Sequence, residues 1–302
     1  MIPFRTILFA FVAAAALTSA HAAEAPASAP GRTIVFMTDF GALDDAVAIC
    51  KGVMLGIAPT ARIVDLTHQV QPYSIADGAR FLARTSLYYP ANTIFVGVVD
   101  PGVGTKRRTI IAKTKRGQYF VVPDNGLLTP IEDRDDIEGV REITNAAWML
   151  PEPHSATFHG RDVFSPAAGH LARGDDWTKA GPLLPKLTRL TIAAPVIGAT
   201  GLAGHVVGLD GPYGNLITDI KPDRLRELGY SLGDIVPVKV AGKEFSLPFV
   251  TTFGDVDEGK PLLYVDSSGL VSVAINMGNF AQVHDIGPPA EFLITKKASA
   301  PK

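Results

Sequence analysis

Two glycine-containing segments of the sequence contain a carboxylate, a guanidinium and an imidazole. Side chains of these types can stabilise charge or transfer a proton. Asp100 and Arg107 lie at the two ends of the segment Asp-Pro-Gly-Val-Gly-Thr-Lys-Arg. The proline and glycines let the backbone approach a ligand closely and turn the two charged side chains back toward each other. His159 precedes Gly160 in a predicted loop rather than on an apolar helix face, which favours a functional role. A purely structural Asp/Arg pair is the alternative at this point.

Asp39 directly follows the first predicted strand, in the motif Thr-Asp-Phe-Gly. A carboxylate at a strand end can accept both hydroxyl protons of a ribose diol, so Asp39 is a candidate for binding a nucleoside. The competing interpretation is an aspartate that only caps the next helix. Asn125 follows another strand in Pro-Asp-Asn-Gly, a pattern that indicates first a turn and makes Asn125 a secondary binding candidate.

The aspartates after the first strand also allow a comparison with calcium-dependent nucleoside hydrolases, which open with the pattern Asp-x-Asp-x-x-x-Asp-Asp. Here Met37 occupies the first position, and the pair Asp44-Asp45 comes one residue too late relative to Asp39. No two histidines have metal-ligand spacing with a carboxylate or thiol, so we predict no metal and no cofactor. The nucleoside hydrolase stays the alternative enzyme.

Short apolar runs alternate with helical patterns in the first half of the chain, which places these polar residues in loops after strands. Apolar, β-branched runs predict buried strands, and runs with helical spacing predict helices. Strands are predicted at 33–37, 62–66, 93–99, 109–113 and 119–122, and helices at 43–57, 75–87 and 164–173. Asp44 is the predicted N-cap of the first helix. Strand–helix–strand alternation predicts an α/β domain with a parallel sheet.

The pattern changes after Gly181, where prolines and the glycine-containing segment 198–204 indicate a linker. Beyond it short strands recur, and only 222–228 is predicted to be helical. The predicted strands are 205–209, 216–220, 235–240, 261–265, 270–276 and 290–294. Such spacing is typical of a small antiparallel barrel or sandwich. The expected organisation is a catalytic α/β domain over 33–190 and a β domain over 200–296.

The N-terminus has the features of an export signal. Residues 1–5 carry one positive charge, residues 7–17 are apolar, and Ala20-His21-Ala22 is a small-x-small cleavage site. We therefore predict a leader at 1–22, a Pro/Ala linker at 23–32, and an exported mature protein that is periplasmic or secreted. An uncleaved anchor is the alternative, although the apolar run is short for a membrane span.

The composition favours a packed enzyme that acts on a small molecule. The 302-residue chain is 47% hydrophobic with a net charge of −2, so it offers no electrostatic footprint for nucleic acid or an anionic membrane. Its one cysteine, Cys50, falls in an apolar helical pattern, which predicts a buried, inert thiol.

Five segments, taken in order, resemble the S-adenosyl-L-methionine (SAM) hydrolase (adenosine-forming) family. This family, also called SAM hydroxide adenosyltransferases, is related to fluorinase and chlorinase. The segments are TDFG at 38–41, DPGVGTKRR at 100–108, PDNGLL at 123–128, TFHGRDVF at 157–164 and Tyr-Gly-Asn at 213–215. The similarity runs from Thr33 to Thr295, and five motifs in the same order argue against coincidence.

The resemblance implies a three-layer α/β/α domain, a C-terminal β-barrel and a homotrimer. It places the ligand between one subunit's first domain and a neighbour's barrel. It implies that Asp100, Arg107 and His159 activate water. The implied substrate-binding residues are Asp39 for the ribose diol, Tyr73 beside the substrate, Asp210, Asn215 and Ser267 for the methionine portion, and Asn276 and Met277 for adenine, with Tyr213 and Asn125 as further candidates.

The carboxylate of Asp100 and the imidazole of His159, with Gly160 beside it, depart from the halogenase pattern and favour water over a halide. The resemblance therefore implies attack of an activated water on C5′ of SAM, giving adenosine and L-methionine. A non-catalytic binder of adenosyl ligands is a third interpretation, because it would keep Asp39 and the barrel residues without needing the other three side chains.

Overall fold

The computed structural model describes residues 31–191 and 193–298, which form two β-sheets, the first covered by helices. The predicted leader at 1–22 and residues 23–30 of the predicted linker lie outside the described residues. Within the described part, no helix is long and apolar enough to cross a membrane.

The first sheet has six strands in the order β2-β1-β3-β5-β4-β6. Its strands are β1 (Thr33–Thr38), β2 (Arg62–Thr67), β3 (Ile94–Val98), β4 (Thr109–Thr114), β5 (Tyr119–Pro123) and β6 (Ile137–Glu142). The β2, β1, β3 and β5 strands run parallel, whereas β4 pairs antiparallel with β5 and β6. The predicted α/β domain with a mostly parallel sheet is confirmed, and β4 and β5 form an antiparallel hairpin.

Helices cover both faces of this sheet because the strands are apolar on both faces. The helices are α1 (Ala46–Ile57), α2 (Ile75–Ser86), α3 (Thr129–Asp135) and α4 (Ser165–Arg173). Ile34 and Phe36 of β1 are buried in the core that contains α1 and α4. Val35 and Met37 point the other way, into the core that contains α2 and α3. The period-two alternation of a strand thus produces the three-layer α/β/α arrangement that the resemblance implied. Cys50 lies in the first of these cores and is fully buried, as predicted.

The second sheet is antiparallel and nearly closed into a barrel, with β11-β10-β14-β8-β9-β13-β12 in order and β7 paired to β8. The strands are β7 (Val196–Ile197), β8 (Gly201–Asp210), β9 (Asn215–Thr218), β10 (Ile235–Val240), β11 (Lys243–Pro248), β12 (Pro261–Val265), β13 (Val271–Ile275) and β14 (Ala290–Thr295), with helices α5 (Pro222–Glu227) and α6 (Phe280–His284). Val250, just after β11, donates its N–H to the Leu263 carbonyl of β12 at 2.9 Å, which joins the two outer strands. The barrel is confirmed over the sandwich.

The α2 helix connects the two sheets. Arg80 lies against the backbone of Gly208 in β8, where a Cβ would come within 2.8 Å of the Arg80 Nε atom. Arg84, one turn later, donates to the Ser267 hydroxyl at 2.8 Å. Two arginines on one helix face therefore fix the outer surface of the barrel against the α/β layers.

The glycines of 201–204, predicted to be a linker, instead begin β8. A Cβ on Gly201 would lie 2.0 Å from the Ile294 carbonyl oxygen, and a Cβ on Gly204 would lie 2.6 Å from the Asp219 carboxylate. Glycine is needed at these positions because neighbouring backbone and side-chain atoms approach closely. The linker was predicted here because a glycine-rich composition is also typical of a loop. The first helix begins at Ala46 rather than residue 43, and Asp45, not Asp44, is its N-cap residue.

Five short elements were not predicted, namely α3, β6, β7, β11 and α6. Each has seven residues or fewer. The sequences of β6 (IEGVRE) and β11 (KEFSLP) mix charged and apolar residues, so they lack the apolar runs that identify buried strands. The statement that only 222–228 is helical in the second half was wrong, because α6 also forms there.

Candidate active site

A cleft of about 370 Å³ lies at the carboxyl ends of β1 and β3, where a parallel sheet exposes its ligand-binding loops. The predicted site residues that line it are Asp39, Tyr73, Asp100 and His159. Its apolar walls include Phe40 and Phe158, which pack edge to face with their ring centroids 6.0 Å apart. A larger depression of about 590 Å³ on the outer face of the barrel contains none of the predicted site residues. The smaller cleft is therefore the candidate site.

Asp100 and Arg107 form a buried ion pair at this cleft, with side chains 5% and 9% exposed. Arg107 Nε lies 2.9 Å and 2.8 Å from the two carboxylate oxygens, and Arg107 Nη2 also donates to the carboxylate. The loop between them can close because Gly104 adopts φ +76, which favours glycine. A Cβ on Gly104 would lie 2.5 Å from the Ala156 carbonyl oxygen, so this glycine also lets the loop touch the segment before His159.

His159 completes the group from a distant part of the chain. Arg107 Nη2 lies 2.9 Å from His159 Nδ1. Since a guanidinium can only donate, Nδ1 accepts this bond, and the proton of the neutral ring is on Nε2. Burial, reinforced by the positive charge of Arg107, lowers the pKa of His159 below its usual 6.5, although Asp100 acts in the opposite direction. The cleft thus contains a carboxylate acceptor and a neutral imidazole with an Nε2–H donor.

The turn after His159 is π-helical over Gly160–Phe164 and leads directly into α4. The Ser165 hydroxyl donates to the Gly160 carbonyl at 2.7 Å. Asp162 in this turn is buried and accepts the Ser155 N–H at 2.7 Å, which ties back the loop before His159. Burial would raise the pKa of Asp162, but the bonds from Arg161 and Ser155 outweigh it and lower the pKa below its usual 3.8. An ionised Asp162 therefore holds the His159 loop in place.

Asp39 and Tyr73 face each other across the cleft entrance. The backbone N–H of Tyr73 donates to Asp39 Oδ2 at 2.9 Å. Tyr73 has φ +66 and is 74% exposed, so its ring is available to a ligand or a neighbouring surface. The interpretation of Asp39 as a helix cap is not supported, because α1 begins at Ala46 with Asp45 as N-cap.

Asn125 lies behind the cleft rather than in its lining. Its side-chain amide donates to the Val99 carbonyl at 2.9 Å, and its side-chain oxygen accepts the Leu127 N–H at 3.3 Å. Val99 immediately precedes Asp100, so these bonds fix the end of the strand that presents the acid. The structure thus places Asn125 where it supports Asp100 through the backbone.

The predicted barrel residues do not line this cleft within the described residues of one subunit. Asn215 lies 3.5 Å from the Asp210 carboxylate at one end of β8 and β9. Burial, together with the charges of Asp210 and Asp266, raises the pKa of the neighbouring Tyr264 well above its usual 10. Asp210, Asn215 and Tyr264 therefore form a polar group of their own on the barrel.

The other barrel candidates are separate from that group or fully exposed. The Ser267 hydroxyl accepts a bond from Arg84, and the Asn276 amide donates to the Val256 carbonyl at 2.8 Å. Tyr213 and Met277 are 65% and 83% exposed, which is unusual for such apolar side chains. None of these four residues lines the cleft of its own chain.

The aspartates that a calcium-dependent nucleoside hydrolase would use do not come together into a metal site. Asp39 accepts from Tyr73, whereas Asp44 accepts the Ala46 N–H at 3.1 Å. Across residues 31–191 and 193–298, no three His, Cys, Asp or Glu side chains are placed to share a metal ion. This arrangement gives the nucleoside hydrolase interpretation no support.

The apolar cleft residues Phe40, Val103 and Phe158 were not identified from the sequence. Phe40 and Phe158 are direct neighbours of Asp39 and His159 in the chain, and Val103 follows Asp100 by three residues. Their position in the chain, close to a candidate site residue, is the sequence signal that could have identified them. Their type alone indicates a core position.

Comparison with protein families shows two matches that together span most of the chain. The SAM hydroxide adenosyltransferase N-terminal domain matches residues 34–181, and the corresponding C-terminal domain matches residues 204–292. These ranges include each of the predicted site residues.

Individual relatives agree with that result. An (R)-S-adenosyl-L-methionine hydrolase of Salinispora tropica is 38% identical over 88% of this chain and 99% of the relative. A fluorinase of Actinopolyspora mzabensis is 30% identical over 87% of this chain and 97% of the relative. A crystal structure of an uncharacterised conserved protein from Thermotoga maritima superposes with a TM-score of 0.81 at 39% identity, covering 86% of this chain and 99% of that one.

Proposed function

This chain belongs to the SAM hydroxide adenosyltransferase family, and on that premise we propose that it hydrolyses SAM to adenosine and L-methionine. The observation that supports this most directly is the buried group of Asp100, Arg107 and His159 at the cleft. Hydrolysis is favoured over halogenation because the hydrolase of Salinispora tropica is 38% identical to the chain, compared with 30% for the fluorinase of Actinopolyspora mzabensis.

The charges of the cleft also favour water as the nucleophile. A halide is an anion, so a neighbouring carboxylate repels it, and it needs hydrogen-bond donors or an uncompensated positive charge. Here the Arg107 guanidinium is already paired with the Asp100 carboxylate, and His159 is held neutral. Water can instead be oriented between an acceptor and the Nε2–H donor.

In the proposed mechanism, the oxygen of a bound water attacks C5′ opposite the departing sulfur. The new O–C5′ bond forms as the C5′–S bond breaks, and its electron pair leaves with sulfur, which becomes the neutral thioether of methionine. The sulfonium therefore needs no general acid. The attacking oxygen becomes positively charged as the bond forms, so the Asp100 carboxylate stabilises it and accepts its proton.

The two other members of the group have distinct roles in this mechanism. His159 donates its Nε2–H to the water and orients it. Arg107 holds the Asp100 carboxylate and His159 Nδ1 at the same time, which fixes the angle between acceptor and donor. Alignment of this kind can supply several kcal/mol of a displacement barrier, on the order of 7 or more.

We assign the ribose diol to Asp39, with Tyr73 packed beside the substrate. Asp39 already accepts one N–H at the entrance of the cleft, so its carboxylate faces the space a ligand would enter. The methionine portion is assigned to Asp210, Asn215 and Ser267. The adenine is assigned to Asn276 and Met277 and, beside them, Tyr213.

These barrel residues would reach the substrate in a homotrimer, in which each cleft faces the barrel of a neighbouring subunit. Two observations support this proposal. The cleft is lined by residues of the first domain, and the apolar side chains of Tyr73, Tyr213 and Met277 are exposed. An exposed apolar surface of this kind is typical of an interface.

We also propose export of the mature protein after cleavage following Ala22, as the sequence of the leader predicts. N-terminal sequencing of the protein recovered from the periplasm or the medium tests this, with Ala23 as the expected first residue. An intact Met1 in that fraction would contradict cleavage.

The activity is tested by incubating purified protein with SAM in 18O-water, with and without EDTA, and separating the products by chromatography. Adenosine with 18O at its 5′-hydroxyl is expected, since water supplies that oxygen. EDTA is expected to have no effect, because the mechanism uses side chains alone. Comparing the (R) and (S) sulfonium diastereomers tests whether this chain prefers the (R) form, after which its relatives are named.

The control is the same reaction with chloride or fluoride added in excess, in which adenosine should remain the product. A 5′-halogenated adenosine would overturn the assignment to hydrolysis. Intact SAM with tight binding would instead support the non-catalytic interpretation. Adenosine is then tested with calcium, and release of free adenine would support the nucleoside hydrolase.

A further inference from the structure

Four side chains beside the cleft form a chain of hydrogen bonds that the proposed mechanism does not use. Thr38 Oγ1 lies 2.9 Å from His68 Nδ1, and His68 Nε2 lies 3.0 Å from Asp65 Oδ1. Lys51 donates to the other carboxylate oxygen of Asp65 at 2.6 Å. Thr38 is the last residue of β1 and stands next to Asp39 in the chain.

The protons in this chain can be placed from the chemistry of its members. Burial would raise the pKa of Asp65, but the bonds from Lys51 and His68 outweigh it and lower the pKa below its usual 3.8. An ionised carboxylate only accepts, so His68 Nε2 carries a proton. Thr38 Oγ1 accepts the Phe40 N–H at 3.2 Å and forms a second hydrogen bond with His68 Nδ1.

The arrangement of hydroxyl, imidazole and carboxylate resembles a nucleophilic triad, but its burial argues against that role. Thr38 is fully buried at the end of β1, so no substrate can reach its oxygen. The Phe36 ring packs edge to face on the His68 ring, with the ring centroids 5.0 Å apart, and so covers one side of the imidazole. The chain of bonds is therefore suited to holding backbone in place.

The backbone that it holds carries two of the cleft residues. The Gly41 N–H donates to the His68 carbonyl at 2.7 Å, and the Val70 N–H donates to the Thr38 carbonyl at 3.4 Å. Together with the Tyr73 N–H on Asp39, these bonds join the loop after β1 to the loop after β2. The His68 side chain sits at the centre of this junction.

We propose that His68 is a positioning residue for substrate binding: through Thr38 and Asp65 it holds the Asp39 loop at the angle needed to bind the ribose diol. The proposal rests on the proposed function, since it takes the assignment of the diol to Asp39 from there. His68 touches neither substrate nor water. Its contribution is to limit the conformations of Asp39 and so reduce the cost of binding.

The test compares His68→Phe, which keeps a ring against Phe36 but loses both hydrogen bonds, with His68→Asn, which keeps an acceptor near the Nδ1 position. Each variant is assayed with SAM and with its 2′-deoxy analogue. His170→Phe is the matched control, because His170 also bonds to an aspartate and stacks on an aromatic ring, but on α4.

We expect His68→Phe to raise KM for SAM about tenfold with less than about a threefold change in kcat, as loss of a ground-state contact would. For the 2′-deoxy analogue the same substitution should raise KM less than for SAM, because one of the two hydroxyl contacts of Asp39 is already missing. His68→Asn should recover most of the affinity for SAM, and His170→Phe should leave KM unchanged.

A second measurement is independent of turnover. Amide hydrogen exchange at Phe40 and Gly41 should be faster in His68→Phe than in the parent protein, and unchanged in His170→Phe. An equal rise in KM for SAM and the deoxy analogue would overturn the proposal, as would unchanged exchange at Phe40 and Gly41. If the parent protein fails to turn over SAM while exchange responds as expected, the proposed function fails and the positioning of the loop stands.

Discussion

Arg107 is the residue on which the candidate site depends, because it binds Asp100 and His159 at the same time. Removing it would leave a buried carboxylate without its partner, which costs several kcal/mol in comparable pairs, about 3 to 5. It would also remove the donor that sets the tautomer of His159. A loss of activity in an Arg107 variant could therefore reflect either lower stability or slower catalysis. Substitutions of Asp100 and His159 separate the two effects better.

Asp100→Asn should lower kcat by a factor of about 100 to 10,000, the range that general base catalysis supplies, with KM within a few-fold. The amide keeps the size of the side chain but loses the negative charge and the ability to accept a proton. Adenosine release followed by chromatography measures both constants. Asp175→Asn, which alters an aspartate paired with Arg173 at the end of α4, is the control and should keep full activity. A fully active Asp100→Asn enzyme would rule out the assigned base.

The pH dependence should follow His159. Its pKa lies below 6.5, so kcat/KM should stay level as pH falls to 6.5 and decline only in more acidic solution, where the ring becomes charged and loses its Nδ1 acceptor. His159→Asn, which keeps an acceptor near Nδ1, should lower kcat and abolish this acidic decline. A profile that falls already above pH 6.5 in the parent enzyme would contradict a neutral His159 of lowered pKa.

The same shift affects stability with a definite sign. Because the unfolded state binds the proton more readily than the folded state, the contribution of neutral His159 is complete above pH 6.5. It is lost as pH falls from there toward the lower pKa of the folded state.

At the scale of elements, the site is built from loops that rigid strands and a π-helical turn present at one edge of the first sheet. The loop after β3 and the segment before Gly160–Phe164 touch where Gly104 meets Ala156. This contact sets the distance between Asp100 and His159, which belong to different loops. Loop geometry, rather than any single side chain, therefore determines whether Asp100, Arg107 and His159 can cooperate.

Gly104→Ala should disturb that contact, since the added Cβ would lie 2.5 Å from the Ala156 carbonyl oxygen at φ +76. The matched control is Gly242→Ala in the turn between β10 and β11, which has φ +81 and open space around the Cβ position. Both should lose about 1 to 2 kcal/mol of unfolding free energy from the backbone conformation, measured with urea. Only Gly104→Ala should lose more than this and also lower kcat. Equal behaviour of the two variants would show that the loop contact does not matter.

At the scale of the whole molecule, one subunit carries a cleft on its first sheet and a separate polar group on its barrel. The α2 helix fixes the two sheets through Arg80 and Arg84, so the barrel of the same chain is held by a defined interface. If the barrel residues bind substrate, as proposed, a neighbouring subunit has to supply them. The oligomer is then part of the active site rather than an addition to it.

Mixing two inactive variants tests this arrangement. Asp100→Asn damages the cleft and Asn215→Ala damages the barrel, so neither homotrimer should be active. In co-expressed trimers of random composition, about one quarter of sites would combine an intact cleft with an intact neighbouring barrel, giving about one quarter of the parent activity. Light scattering of the parent protein should give the mass of three chains. A monomer, or no recovery on mixing, would place the complete site within one chain.

The sequence by itself determined the layers of the fold and most of the candidate residues. Apolar, β-branched runs such as those of β1 and β3 can be satisfied only by burial on both faces, and the helical patterns between them require crossover helices. Asp39, Asp100 and His159 could be identified because glycine and proline mark their loops and because the motifs occur in family order. These are local properties, which act over a few residues and can be recognised without knowing the distant contacts.

Tertiary structure alone decided which of these residues meet. His159 and Arg107 are 52 positions apart and Arg84 and Ser267 are 183 apart, and no local pattern specifies either contact. The glycines of 201–204 showed the same limit, because their need for close strand approach depends on Ile294 and Asp219. Likewise the tautomer of His159 and the support of Asp39 by His68 follow from hydrogen bonds between segments. Such contacts arise from the packing of the whole chain, so their geometry exists only once the sheets and helices have assembled.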